Sequence, residues 1–71
     1  MKVTLIKTNK NEIEVLRDKE FNTNSDAVKE FKRLKTALEN QGFRKTKSES
    51  HNGRRHLYMR FRLKTIILSM Y

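Results

Sequence analysis

Lys45, Lys47, Arg54, Arg55, Arg60, Arg62 and Lys64 crowd around one aromatic ring, Tyr58, in the stretch 45–64. Cations in such density neutralise phosphates and release condensed counterions, and a ring among them offers a stacking surface. A pair of arginines at a hairpin tip, here Arg54-Arg55, can enter a groove. The chemistry these residue types suggest is binding of nucleic acid, chiefly through phosphate. The pattern does not distinguish DNA from RNA or single from double strands. Bidentate contacts from Arg54-Arg55 to guanine are conceivable, but phosphate contact is the simpler use of arginines on a turn. A second reading of the same residues is a protein-binding inhibitor or adaptor. Its basic face would dock on an acidic surface of a partner, and its apolar C-terminal segment would add a strand to the partner's sheet.

Catalytic constellations are harder to find. No Ser-His-Asp set, carboxylate dyad, Gly-rich phosphate loop or metal-ligand cluster is present in the sequence. The histidines are His51 and His56, too few for a metal site without carboxylate help. His51 adjoins an Asn-Gly turn, where a histidine is first a solvated turn residue. His56 falls opposite Glu49, first a cross-strand contact. No catalysis, cofactor or metal is therefore expected.

One local pattern points the other way. A helix, Gly42-Phe43, a basic strand, Ser50-His51 and a strand carrying Leu57-Tyr58 follow one another. This succession resembles the small HicA-type toxin ribonucleases, whose catalytic histidine sits in a Gly-Ser-His motif after a helix and a strand. The resemblance implies that His51 would be the general acid or base acting on an RNA 2′-hydroxyl. Glu49 stands where that motif has glycine, and no C-terminal helix is evident.

The chain has 71 residues, no Cys, no Pro and a formal charge of +9. That describes one small domain, 1–71, which must stabilise itself without disulfides or zinc, and self-association would help a core of this size. Absence of Cys, of a long apolar run and of a signal-peptide core suggests a cytoplasmic protein with no membrane partner. Lys- and Asn-rich usage, with Arg scarce before residue 42, hints at a phage or plasmid of a low-GC bacterium. Charge is uneven: residues 1–42 carry 9 basic and 7 acidic groups, whereas 43–71 carry 8 basic groups and only Glu49, a net of +7. A merely solubilising surface would mix both signs.

Position follows from periodicity. Lys2 to Thr8 reads as a strand, Asn9-Lys10-Asn11 as a turn, and Glu12 to Arg17 as the return strand, with helix as the competing reading over 12–21. Ala27, Phe31, Leu34 and Leu38 mark the buried stripe of a helix over 25–41, capped by Ser25 or Asn24. Lys29, Lys32 and Arg33 are expected on its solvated face. Gly42-Phe43 predicts a Schellman stop. Asn52-Gly53 predicts a type I′ turn, making 43–64 a basic hairpin. An unbroken register from that turn places Thr46, Ser48, Leu57, Met59, Phe61 and Leu63 toward the helix, and Lys45, Lys47, Glu49, His56, Tyr58, Arg60 and Arg62 toward solvent.

The apolar phase then shifts from odd positions through Leu63 to even positions at Ile66, Leu68 and Met70, which signals a bulge, a bend or a new element. Segment 65–71 is expected to pair with the N-terminal strands, the alternative being a homodimer through that segment. The predicted class is α+β, a β-β-α-β-β layout with one helix covering one face of an antiparallel sheet.

Overall fold

Alternation along the chain delivers Val3, Leu57, Met59, Ile66 and Leu68 to one side of a sheet, and helical spacing delivers Ala27, Phe31, Leu34 and Leu38 to meet them. In the computed structural model, residues 1–9 and 11–71 are described; among them the chain forms β1 (Lys2–Thr8), β2 (Ile13–Glu20), α1 (Asn24–Asn40), β3 (Arg44–His51), β4 (Arg54–Phe61) and β5 (Lys64–Met70). The strands make a single antiparallel sheet of order β2-β1-β5-β4-β3. The α+β class and the helix on one sheet face are as expected, with residues 64–70 as an additional strand. The expected turn at Asn9-Lys10-Asn11 centres on Lys10, which lies outside the described residues.

Helix α1 begins one residue earlier than its predicted span and is capped by neither Ser25 nor Asn24. Thr23 is the cap: its backbone is extended and its Oγ1 accepts a hydrogen bond from Asp26 N at 3.2 Å. Asn24 and Ser25 are already helical, so their side chains are one and two residues too late for that role. The stop is as predicted. Gly42 N donates to Glu39 O and Phe43 N to Leu38 O, both at 3.0 Å, with Gly42 at φ +103° and Phe43 buried in the core.

Segment 65–71 does not provide a dimer edge. β5 is hydrogen-bonded to β1 on one side and to β4 on the other, so no free edge remains for a second copy or a partner sheet there. A two-residue turn at Arg62-Leu63 joins β4 to β5, with Phe61 opposite Lys64 and Arg62 at φ +57°. This geometry pairs odd residues of β4 with even residues of β5, Leu57 with Leu68 and Met59 with Ile66. The shift in apolar phase is thus a strand reversal rather than a bend within one strand. Leu63, expected to face the helix, projects from that turn at 86% exposure.

Within 12–21 the strand reading holds, over Ile13–Glu20. β2 reaches Glu20 and carries a bulge between Val15 and Arg17. Arg17 then points to the helix side, where it donates to Glu30 Oε2 at 2.6 Å, while Arg33 Nε donates to Glu30 Oε1 at 2.6 Å. Glu30 is the buried carboxylate of the helix, so Arg33 serves an ion pair as well as the solvated face. Charges of both signs and the bulge also guard β2, an edge strand, against pairing with strangers.

Candidate nucleic-acid interface

The helix covers one side of the sheet; the other side is open. Its composition follows from register alone. Arg44, Arg60, Thr65, Thr8 and Ile13 lie across the five strands in one row, and Lys47, Tyr58, Ile67, Ile6 and Val15 in the next. A third row runs Glu49, His56, Ser69, Thr4 and Asp18. Basic groups therefore gather at the β3–β4 side, aliphatic groups toward β2, and aromatic groups between them.

Arg44 and Arg60 are direct cross-strand partners. Like charges in that position repel and destabilise a sheet unless something negative lies between them. Arg60 Nε donates to Arg62 O at 3.1 Å, which braces its side chain against the β4–β5 turn. Among the described residues, no carboxylate pairs with Arg44, Arg54 or Arg60. Lys47 differs: its ammonium contacts Glu49 at 2.7 Å and lies 5.7 Å from the Tyr58 ring centroid. The hydrogen bond to Glu49 and the attraction of its charge hold the Lys47 ammonium above the usual lysine range, and the same contacts hold the Glu49 carboxyl below the usual carboxylate range.

The eight residues singled out from the sequence are divided by the fold. Lys47, Arg54, Tyr58 and Arg60 belong to the open side. Lys45 does not: the expected register holds from His51–Arg54 to Lys47–Tyr58, then slips at Thr46, so that Lys45 faces Met59 and Arg44 takes the place opposite Arg60. The bulge also leaves Thr46 exposed, its Oγ1 donating to Tyr58 O at 3.3 Å, rather than directed at the helix. Ser48 is exposed too, because the helix packs chiefly on β5 and β1 rather than on β3.

Arg55 is on the helix side, its guanidinium carbon 5.1 Å from the Phe31 ring centroid. Arg62 sits in the turn, its guanidinium 5.0 Å over Phe61 instead of on the solvated strand face. Lys64 lies opposite Phe61 at the start of β5, on that same side.

Two residues of this side, Arg44 and Tyr71, escaped the sequence reading, and a third, His56, was expected on it opposite Glu49 but only as a cross-strand contact. Arg44 was one bulge out of register. His56 stands beside Ser69, its Nδ1 2.7 Å from Ser69 Oγ, and Tyr71 places its ring 6.1 Å from the His56 ring. Tyr71 is held by backbone hydrogen bonds to Lys2 in both directions, a pairing invisible from a terminal position in the sequence. His51 sits exposed at the hairpin end, its Nε2 3.1 Å from Asn52 Nδ2. Among the described residues, no cluster of His, Cys, Asp and Glu could hold a metal, and no helix is long and apolar enough to cross a membrane. Neither a protein family, nor a curated protein, nor a solved structure matches the chain.

Proposed function

We propose that this protein binds nucleic acid without catalysis, engaging phosphates through the open side of the β3–β4 hairpin and its tip. The observation that supports this reading best is the Arg44–Arg60 cross-strand pair, two like charges opposite one another that meet no carboxylate among the described residues. A phosphate would turn that repulsion into two charge-assisted contacts. Lys47 and Arg54 extend the same surface, and the net charge of +7 over residues 43–71 would draw a polyanion toward it. The reading fits a cytoplasmic protein, and the Lys- and Asn-rich usage fits a phage- or plasmid-encoded one.

The test is titration of labelled DNA and RNA by fluorescence anisotropy. With Arg44, Lys47, Arg54 and Arg60 each meeting one phosphate, the log–log salt slope should be roughly −2.8 to −3.6, so affinity falls about 50- to 150-fold between ~50 and ~200 mM salt. Replacing Arg44 and Arg60 with Ser should flatten the slope by about 1.4 to 1.8 while leaving the thermal transition in place. Binding that is indifferent to both salt and that substitution would place the interface elsewhere. Absence of nucleic-acid binding would redirect attention to an acidic protein surface as the partner.

A further inference from the structure

The cations of the open side account for contact with phosphate, but they occupy only one margin of it. Between them and the β2 edge lie Tyr58, His56, Tyr71, Ile67 and Ile6, on a face that no helix covers. A duplex has little use for such a surface, because its bases are stacked and paired inside. Nor can this face enter a groove: five strands at ~4.8 Å spacing span about 19 Å, against the ~12 Å width of the major groove. Unpaired bases, by contrast, present flat apolar faces, and aromatic side chains on a sheet are where such bases stack.

We infer that the ligand is a single strand, its bases lying on Tyr58, His56 and Tyr71 and its phosphates tracking Arg44, Arg60 and Lys47. This rests on the nucleic-acid reading above and narrows it. The rings are suitably spaced for successive bases. His56 and Tyr71 are 6.1 Å apart between centroids, and Tyr58 lies two residues from His56 on the same strand face, about 7 Å along it. The hydrogen-bonding contact with Ser69 holds the His56 ring, and the backbone bonds to Lys2 hold the Tyr71 main chain beside it, so part of the ordering is in place before binding. Ile67 and Ile6 continue the row as aliphatic contact surface, in direct register with Tyr58. The basic margin selects an anionic polymer over an apolar peptide.

The experiment compares oligothymidylate of ~12 nucleotides with a duplex of equal length, for the wild type, for Tyr58→Thr/Tyr71→Thr and for Arg44→Ser/Arg60→Ser. The single strand should bind the wild type at least ~10-fold more tightly than the duplex. It should lose about tenfold or more in Y58T/Y71T with an unchanged salt slope, since stacking is worth roughly that much per base. The sequence has no Trp and only these two tyrosines, so quenching of intrinsic tyrosine emission reports the contact directly in the unaltered protein. Should Y58T/Y71T fail to fold by circular dichroism, the wild-type preference and quenching decide the matter.

Equal affinity for both forms, or emission unmoved at saturation, overturns the stacking platform while the phosphate reading stands. Steep salt dependence lost in R44S/R60S would confirm that the latter survives. No binding of either nucleic acid at low salt removes both.

Discussion

Lys47 differs from its neighbours on the open side because its charge is already met. Glu49 lies two residues away on the same strand face, and the resulting pair is solvent-exposed, so its worth to the fold is small. Its pH behaviour is nonetheless defined. Glu49 titrates below its ordinary value of 4.5, so its contribution is present above that value and is lost as pH falls through the lowered one. Lys47 titrates above 10.5, so its contribution is present below that value and is lost as pH rises through the raised one. The pair is therefore whole across neutral pH, where a bound phosphate would have to compete with Glu49 for the ammonium. Glu49→Gln should remove that competitor, raising nucleic-acid affinity while the salt slope, which already includes the Lys47 contact, stays where it is. Anisotropy at neutral pH reads this directly, and an unchanged affinity would exclude Lys47 from the interface.

Two glycines carry the turns that aim the basic hairpin, and their environments differ. Gly42 ends α1 at φ +103°, and a Cβ there would come within 2.9 Å of the Phe61 ring, which itself packs against Phe43 at 5.7 Å between centroids. Gly53 adopts φ +76° at the hairpin tip with open space around it. Alanine at residue 53 thus meets backbone strain alone, about 1–2 kcal/mol, whereas alanine at residue 42 adds a clash with a ring on the helix side of β4. Denaturant midpoints should fall for both variants and further for G42A, by an additional ~1–2 kcal/mol. A larger loss in G53A would mean that Phe61 yields easily. The two elements these glycines delimit were legible beforehand, since Gly and Asn-Gly report local backbone demands. Arg62-Leu63 carries no such residues, so only the alternation on either side marked that reversal.

For the whole molecule, opposing charges are unevenly shared: the β1–β2 side has Lys2 against Asp18 at 3.4 Å, and Glu30 lies between Arg17 and Arg33 on the helix side, while among the described residues no carboxylate pairs with an arginine of the β3–β4 side. A domain of 71 residues with a net charge of +9 spends part of a small stability margin on that self-repulsion. Raising salt from ~20 to ~500 mM, which shortens screening from roughly 20 Å to about 4 Å, should raise the melting temperature of the free protein by a few degrees while abolishing nucleic-acid binding. A melting temperature that falls with salt would show that attractive pairs outweigh the basic cluster.

These opposite responses come from features read at different depths. The first strand, the helix, its glycine stop, the Asn-Gly hairpin and the basic excess after residue 43 were determined by the sequence itself, because periodicity, cap chemistry and charge are properties of neighbouring residues. Which cations share a face was not. A single bulge at Thr46 exchanges Lys45 for Arg44, one turn sends Arg62 off the strand, and Arg55 lies over the Phe31 ring on the helix side. The placement of Tyr71 and His56 beside one another depends on β5 lying between β1 and β4. Register and strand order are settled by contacts between residues far apart in the chain, and a one-residue slip reverses every face assignment beyond it.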